Sequence, residues 1–324
     1  MKSQKGVALI VVMLLLAVMA ALAGEMGVRL TTSVRRASYQ QDNLQLMTMI
    51  YSAEQFATEN LLQDLKDNPK YQSIDHYWAQ PQKISPGNGL TMEWRVRDDQ
   101  ACFNLNSLGN VPTDTQDETP YNQRVFETLL LMNGITKAQA GIIIDSIADY
   151  IDSDTLARSA GAEDDYYLRA TPSRLTANQP FYSVSELSQI KGVTPKLYQA
   201  LQGQLCALPS TQQRININSL TEQQAPLLSA LSLEQFSAEE AVRLLAKRPK
   251  MGWASLNLFY TQLDNQFPAT DKNWAPLNSM LAVTSRYFSI ISTASDNDQQ
   301  LTLSSRLYYD EKSGEIRLFS RHID

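Results

Sequence analysis

Hydrophobic positions along the chain fall into regimes with different periods. From Val7 to Ala23 there is no period: seventeen residues pass without a charge, with Lys2 and Lys5 before them and Glu25 after. As a helix, the uncharged stretch from Gly6 to Gly24 is about 28 Å long, enough to cross a bilayer core. The two lysines predict that the N-terminal end stays in the cytoplasm and the remainder lies beyond the membrane. Between Tyr39 and Leu65 there is no Gly or Pro, and Leu46, Ile50, Ala53, Ala57, Leu61 and Leu65 recur every three or four residues. That stripe predicts an amphipathic helix, which Asn68-Pro69 should stop. The reading is a membrane helix over 7–24 continuing into a stem helix over 25–68.

Beyond it the period changes to two. Leu90–Asp98 alternates apolar and polar, with a turn signal at Ser85–Gly89 before it, and Ala101–Leu105 reads as a short strand. Tyr287–Thr293, Leu301–Tyr309 and Glu315–Ser320 are predicted strands near the other end. The segments 69–110 and 285–324 would thus share one small sheet. Between them, 111–284 is patterned for helices: Gln123–Asn133, Ala138–Ile151, a capping box at Ser183–Glu186, Thr221–Leu231, Ala238–Lys247 and Trp253–Leu263. The helix begun at Ser183 is expected to carry Leu187, Ile190, Leu197, Leu201 and Leu205 on one face. The fold class is α+β, with a large all-helical insertion in a small sheet domain. The halves 111–203 and 213–284 form a loose repeat, each led by Asn-x-Asn-Ser-Leu, at 104–108 and 216–220.

The net charge is −6 and the isoelectric point near 5.1, which argues against nucleic acid as a partner. Ile190–Thr194 resembles a helix-hairpin-helix turn, but the acidic chain favours a glycine-capped interhelical turn that needs no ligand. Two His and two Cys cannot form a zinc cluster and leave little for histidine-based catalysis. No nucleophile with its base and no glycine-rich phosphate loop is visible, so no catalytic residue is assigned. Cys102 and Cys206 are the only cysteines. In an oxidising compartment a disulfide is the default, worth roughly 4–5 kcal/mol for so long a loop, with two buried thiols as the alternative.

The densest candidate chemistry lies between Asp149 and Asp165, where six carboxylates fall within seventeen residues. Asp152, Asp154 and Glu163 occupy positions 1, 3 and 12 of an EF-hand count, but Leu156 and Ala157 at positions 5 and 6 exclude an EF-hand. Closely spaced hard oxygen ligands suit Ca²⁺ in a structural role. The expected ligands are Asp152, Asp154, Glu163 and Asp164, with Asp149 or Asp165 as further candidates; the alternative is a solvated acidic loop.

Gly6-Val7-Ala8-Leu9-Ile10-Val11 resembles the processing site of type IV pilin-like precursors. There a prepilin peptidase cuts after the glycine and the new N-terminus, here Val7, is methylated; residues 1–6 would be the leader. Most such proteins have Glu at the fifth mature position, where this chain has Val11. A membrane carboxylate needs a partner, and a subunit that joins first has none to meet. Together with Ala101–Asn106, Ile151–Asp154, Gly161–Asp164, Leu205–Pro209 and Ile215–Asn218, these residues resemble the K-class minor pseudopilins of type II secretion.

The resemblance implies a pilin-like stem helix on a small antiparallel sheet with a helical (SAM-like or helix-hairpin-helix-like) insertion. It also implies Ca²⁺ in the helical part, single-pass insertion in the inner membrane and a periplasmic C-terminal domain. Such proteins sit at the tip of the pseudopilus with I- and J-class pseudopilins, start fibre assembly, and contact secretin or cargo. The competing expectation is a membrane-anchored periplasmic binding protein unrelated to a fibre. An ordinary signal peptide, cut near Ala21-Leu22-Ala23, would remove the anchor altogether.

Overall fold

One helix, α1 (Lys5–Asp67), takes up both the apolar run and the amphipathic stripe. In this computed structural model, which describes residues 5–110, 119–268 and 274–323, the membrane and stem segments are a single rod. Residues 1–4 of the expected leader, and 111–118 at the head of the expected insertion, lie outside the described residues. The most apolar window of α1 has a mean hydropathy of 2.9, and none of it is buried. Further along, all six stripe residues are at most 1% exposed.

What buries the stripe is an antiparallel sheet. β1 (Gln82–Gly87) turns through Gly87, Asn88 and Gly89, all at positive φ, into β2 (Leu90–Asp98). Sequence reading foresaw β2 and the turn but not β1, because this edge strand is exposed, carries Pro86 and has no apolar alternation. The chain then leaves the sheet. β3 (Phe103–Asn104) precedes α2 (Tyr121–Met132), α3 (Lys137–Ile151), the single turn α4 (Asp164–Tyr167), α5 (Pro195–Leu201) and β4 (Leu205–Cys206). There follow β5 (Ile215–Asn216), α6 (Ala225–Leu231), α7 (Ala238–Leu245), α8 (Leu256–Gln266) and β6 (Leu281–Ala282). The sheet resumes with β7 (Tyr287–Ser295), β8 (Gln300–Asp310) and β9 (Glu315–Ile323).

The strand order is β1-β2-β7-β8-β9, so β2 pairs directly with β7, Asp98 opposite Phe288, although the whole helical part lies between them in sequence. Met92, Trp94 and Val96 on β2, with Phe288, Ile290 and Leu307, face Ala53, Ala57, Leu61 and Leu65 of α1. Leu46 and Ile50 close on Ala294 and Leu303. At the sheet edge Arg321 of β9 reaches back to Glu54 of α1 with two hydrogen bonds, at 2.9 and 2.6 Å.

The insertion is mostly helices and loops, fastened by two short strand pairs. β3 pairs in parallel with β4, and β5 with β6, two residues each. The segment 101–105, expected as a strand of the sheet, thus contributes only β3 to a separate pair. Cys102 and Cys206 form a disulfide beside β3 and β4, with Cα atoms 5.7 Å apart. Asp98, at the end of β2, is fully buried and accepts from Ser219 Oγ and Ser285 Oγ at 2.5 Å, Asn216 Nδ2 at 3.0 Å and the Gln100 amide at 2.8 Å. Burial raises its carboxyl above the ordinary range against the pull of these donors.

The Asn-x-Asn repeat has a structural counterpart. Asn106 exchanges hydrogen bonds with the Phe181 backbone, Nδ2 donating to its carbonyl at 2.9 Å and Oδ1 accepting from its amide at 2.7 Å. Asn218 does the same with Trp253, at 3.0 and 2.8 Å. Two residues after each clamped residue a serine caps the next helical segment, Ser183 and Ser255. Gly252, at φ +91°, passes so close to Asn218 that a Cβ would lie 2.8 Å from its side chain.

The segment after Ser183 differs from expectation. Its capping box forms, but it opens a short 3₁₀ segment, Val184–Gln189; Gly192 at φ +88° breaks the course, and Thr194 with Pro195 starts α5 afresh. Leu205 falls in β4. Similarly Thr221–Leu231 divides into a 3₁₀ turn at Glu222–Gln224 and α6, and the last helix starts at Leu256, because Trp253 is held by Asn218.

Candidate metal centre

The acidic loop leaves the C-terminus of α3 and runs to Phe181. Asp149, in the last turn of α3, has a side chain with no exposure and organises the loop from below. Its two oxygens accept from the Arg158 amide at 3.2 Å, and Arg158 Nε lies 3.3 Å from Oδ1. Gly161 lies directly against this carboxylate, where a Cβ would come within 1.9 Å of Oδ2. One turn earlier on α3, Asp145 Oδ2 accepts from the Ala160 amide at 3.2 Å. Lys191, in the turn before α5, donates to the carbonyls of Ala160 and Gly161 at 3.1 and 2.7 Å. The lysine of the hairpin-like turn is therefore engaged inside the fold.

Within this frame, carboxylate oxygens of Asp152, Asp154 and Glu163 lie within 4.8 Å of one another. Asp152 is the C-cap of α3, Asp154 is exposed, and Glu163 is 5% exposed just ahead of α4. Neither oxygen of Glu163 has a hydrogen-bond partner, nor has Asp152 Oδ1, although all three are buried. The neighbouring Thr176 hydroxyl does not satisfy Glu163, because its one proton goes to Asp164 Oδ1 at 2.6 Å. Burial pushes the Glu163 carboxyl up to about 7 and Asp149 up to about 6, with further contributions from neighbouring carboxylates. Asp152 is raised for the same first reason, then by the charge of Asp154.

Buried acceptors without donors are costly, and a hard divalent cation supplies the missing partner. The residues present fit Ca²⁺: oxygen donors only, one buried carboxylate with both oxygens unused and a second with one oxygen unused. Asp152, Asp154 and Glu163 are the ones that would hold it.

The other expected ligands are placed differently. Asp164 is not in the group; its Oδ1 accepts from the Thr176 amide, at 2.8 Å, and hydroxyl, bonds that hold its carboxyl below the ordinary range. Asp165 is exposed in α4, and Asp149 is spent on the loop backbone. Sequence reading gave no role to Arg158, whose Nη2 reaches Asp152 Oδ2 at 3.1 Å with only 11% of the side chain exposed. The signal was present as a lone cation inside an acidic run. The expected processing pair, Gly6 and Val7, lies in the first turn of α1, where Val7 is exposed.

Comparisons with known proteins agree with this architecture. Family models described as "Type II secretion system (T2SS), protein K" match residues 101–210 and 215–275. The chain is 37% identical over 98% of its length, and 97% of the relative's, to an Escherichia coli (strain K12) protein provisionally assigned as type II secretion system protein K. It is 36% identical to type II secretion system protein K of Aeromonas hydrophila, over 94% of this chain and 92% of that one. Among solved structures it is similar, with TM-score 0.76 and 30% identity, to a chain of the GspK-GspI-GspJ complex from enterotoxigenic Escherichia coli, covering 89% of this chain and 99% of that one. A stem helix on a five-stranded sheet, a two-part insertion matched in both parts and near full-length likeness place this chain in the type II secretion system protein K family, whose members are minor pseudopilins.

Proposed function

We propose that the chain is a non-enzymatic subunit at the tip of the pseudopilus, where it starts fibre assembly with I- and J-class pseudopilins and so supports export of folded proteins. The observation that carries this reading is the bulk hung between β2 and β7 at the end of one long helical rod. A shaft subunit must fit between neighbours above and below, and a head of this size suits a terminal place. Val11 in the membrane helix, where a shaft subunit would use Glu, agrees with a subunit that has no predecessor. A neighbour that aligns over most of this chain was crystallised with its I and J partners.

In this reading prepilin peptidase cuts after Gly6 and Val7 becomes the methylated N-terminus. The apolar part of α1 stays in the inner membrane, and the sheet and helices stand in the periplasm. Ca²⁺ bound by Asp152, Asp154 and Glu163 gives those orphaned oxygens their partner and orders the loop between α3 and Phe181. Contacts with secretin or cargo belong to the exposed head, and no nucleic acid is involved. Co-expression of the full chain with the I- and J-class pseudopilins of its own system, followed by detergent purification, tests the assignment. A stoichiometric ternary complex is expected; elution of the chain alone would contradict it.

A further inference from the structure

We propose that Arg158 is the internal counter-cation of the acidic loop: it holds the ion-free loop in its folded shape and, by its charge, weakens Ca²⁺ binding. The inference rests on the reading of the loop as a Ca²⁺ site, and it concerns a residue outside the ligand set.

The geometry divides Asp152 between two cations. Its Oδ2 takes the guanidinium of Arg158 at 3.1 Å, while its buried Oδ1 has no partner and belongs to the carboxylate that meets Asp154 and Glu163. The same guanidinium lies 3.3 Å from Asp149, whose side chain has no exposure. Of the four carboxylates Asp149, Asp152, Asp154 and Glu163, two therefore pair with one fixed positive charge that cannot be lost by deprotonation.

Two consequences have opposite sign. Without an ion, Arg158 is the only arginine or lysine ion-paired with this carboxylate group among the described residues, and removing it leaves the like charges to repel. With an ion, guanidinium and Ca²⁺ share one carboxylate across a few ångströms of poorly screened space, so the arginine opposes the ion. A site tuned in this way stays folded when empty and fills only where Ca²⁺ is abundant. Extracellular modules have such weak affinities, about 10⁻⁴–10⁻³ M. A merely orienting arginine, holding Asp152 ready for the ion, would act in the opposite direction.

Calorimetric Ca²⁺ titration of the full chain in detergent, with melting temperatures in EGTA and in saturating Ca²⁺, separates these roles. For Arg158→Gln the expected result is at least tenfold tighter binding together with a lower melting temperature in EGTA. A variant that unfolds in EGTA and recovers in Ca²⁺ also supports the proposal. Affinity equal to or weaker than that of the unsubstituted chain overturns it. If Arg158→Gln folds under neither condition, Arg158→Lys decides, because it keeps the charge and loses the fork. Affinity within about threefold of the original supports a charge effect, and a tenfold change in either direction overturns it. Should the unsubstituted chain take up no Ca²⁺, the site reading itself fails, an outcome distinct from failure of the role of Arg158.

Discussion

The two parts of the helical insertion repeat one plan and diverge at one point. In each, an asparagine after a short strand clamps a backbone residue two positions before a serine cap, Asn106 on Phe181 and Asn218 on Trp253. In each, a capping box opens the second helix, Thr136 with Gln139 and Ser237 with Glu240. The difference is what lies between that helix and the clamped residue. In the second part it is residues 246–252, and Arg248 fills the space by donating to the carbonyls of Asn218 and Leu220 at 3.0 and 2.7 Å. In the first part it is the long acidic loop, residues 152–180, which leaves carboxylate oxygens without partners. A short connection can be closed by one arginine; a long one needs Arg158, Lys191 and the proposed ion. The first part also carries the disulfide, whereas β5 and β6 are joined by hydrogen bonds alone.

Breaking the covalent brace should have the largest effect. Joint replacement of Cys102 and Cys206 by Ser reopens a 104-residue separation and is expected to cost roughly 4 kcal/mol in denaturant unfolding. Loss of less than about 1 kcal/mol would deny the first part its dependence on the brace. The clamps come next. Asn106→Ala and Asn218→Ala each leave a buried amide and carbonyl unpaired, so each should cost about 2–4 kcal/mol. Similar losses would support the shared plan; a clear loss at only one would break it.

The ion comes third and should act on one part only. At Ca²⁺ a hundredfold above its dissociation constant, stabilisation over EGTA is about 2.7 kcal/mol. Glu163→Gln should abolish that gain, and an unchanged melting curve in EGTA would remove the ion from the account.

The smallest effect is that of pH. Asp149 at about 6 and Glu163 at about 7 hold protons more tightly folded than unfolded, where they titrate near 4. Their contribution is therefore full below about pH 4 and is lost as pH rises through 6 to 7. In EGTA stability should fall between pH 5 and 8 from these groups, and Ca²⁺ should suppress that fall. The Asp98 carboxyl is raised too, but its donors are in place with or without the ion, so it contributes equally to both curves. Identical pH profiles with and without Ca²⁺ would contradict the assignment.

Legibility in the sequence followed how one-sided each element is. The stem stripe could be read residue by residue, because α1 buries one face against the sheet and leaves the other exposed. β2 and β7 alternate strictly for the same reason. β1 left no pattern because an exposed edge strand buries nothing in alternation. The segment from Ser183 misled, because Leu187 and Leu197 are both buried while the backbone between them breaks at Gly192. At the candidate site, spacing brought Asp152, Asp154 and Glu163 into one group. Which carboxylate Thr176 would draw away, and which Arg158 would pair with, depended on a loop path that linear spacing does not contain.

The account depends on a helix that is kept. Intact-mass and N-terminal analysis of the chain purified from cells with a working secretion system tests this most directly. The account predicts a mature chain that begins at N-methylated Val7 and retains α1 from that residue to its end at Asp67. A chain beginning near residue 24, or one that still carries Met1, would contradict it.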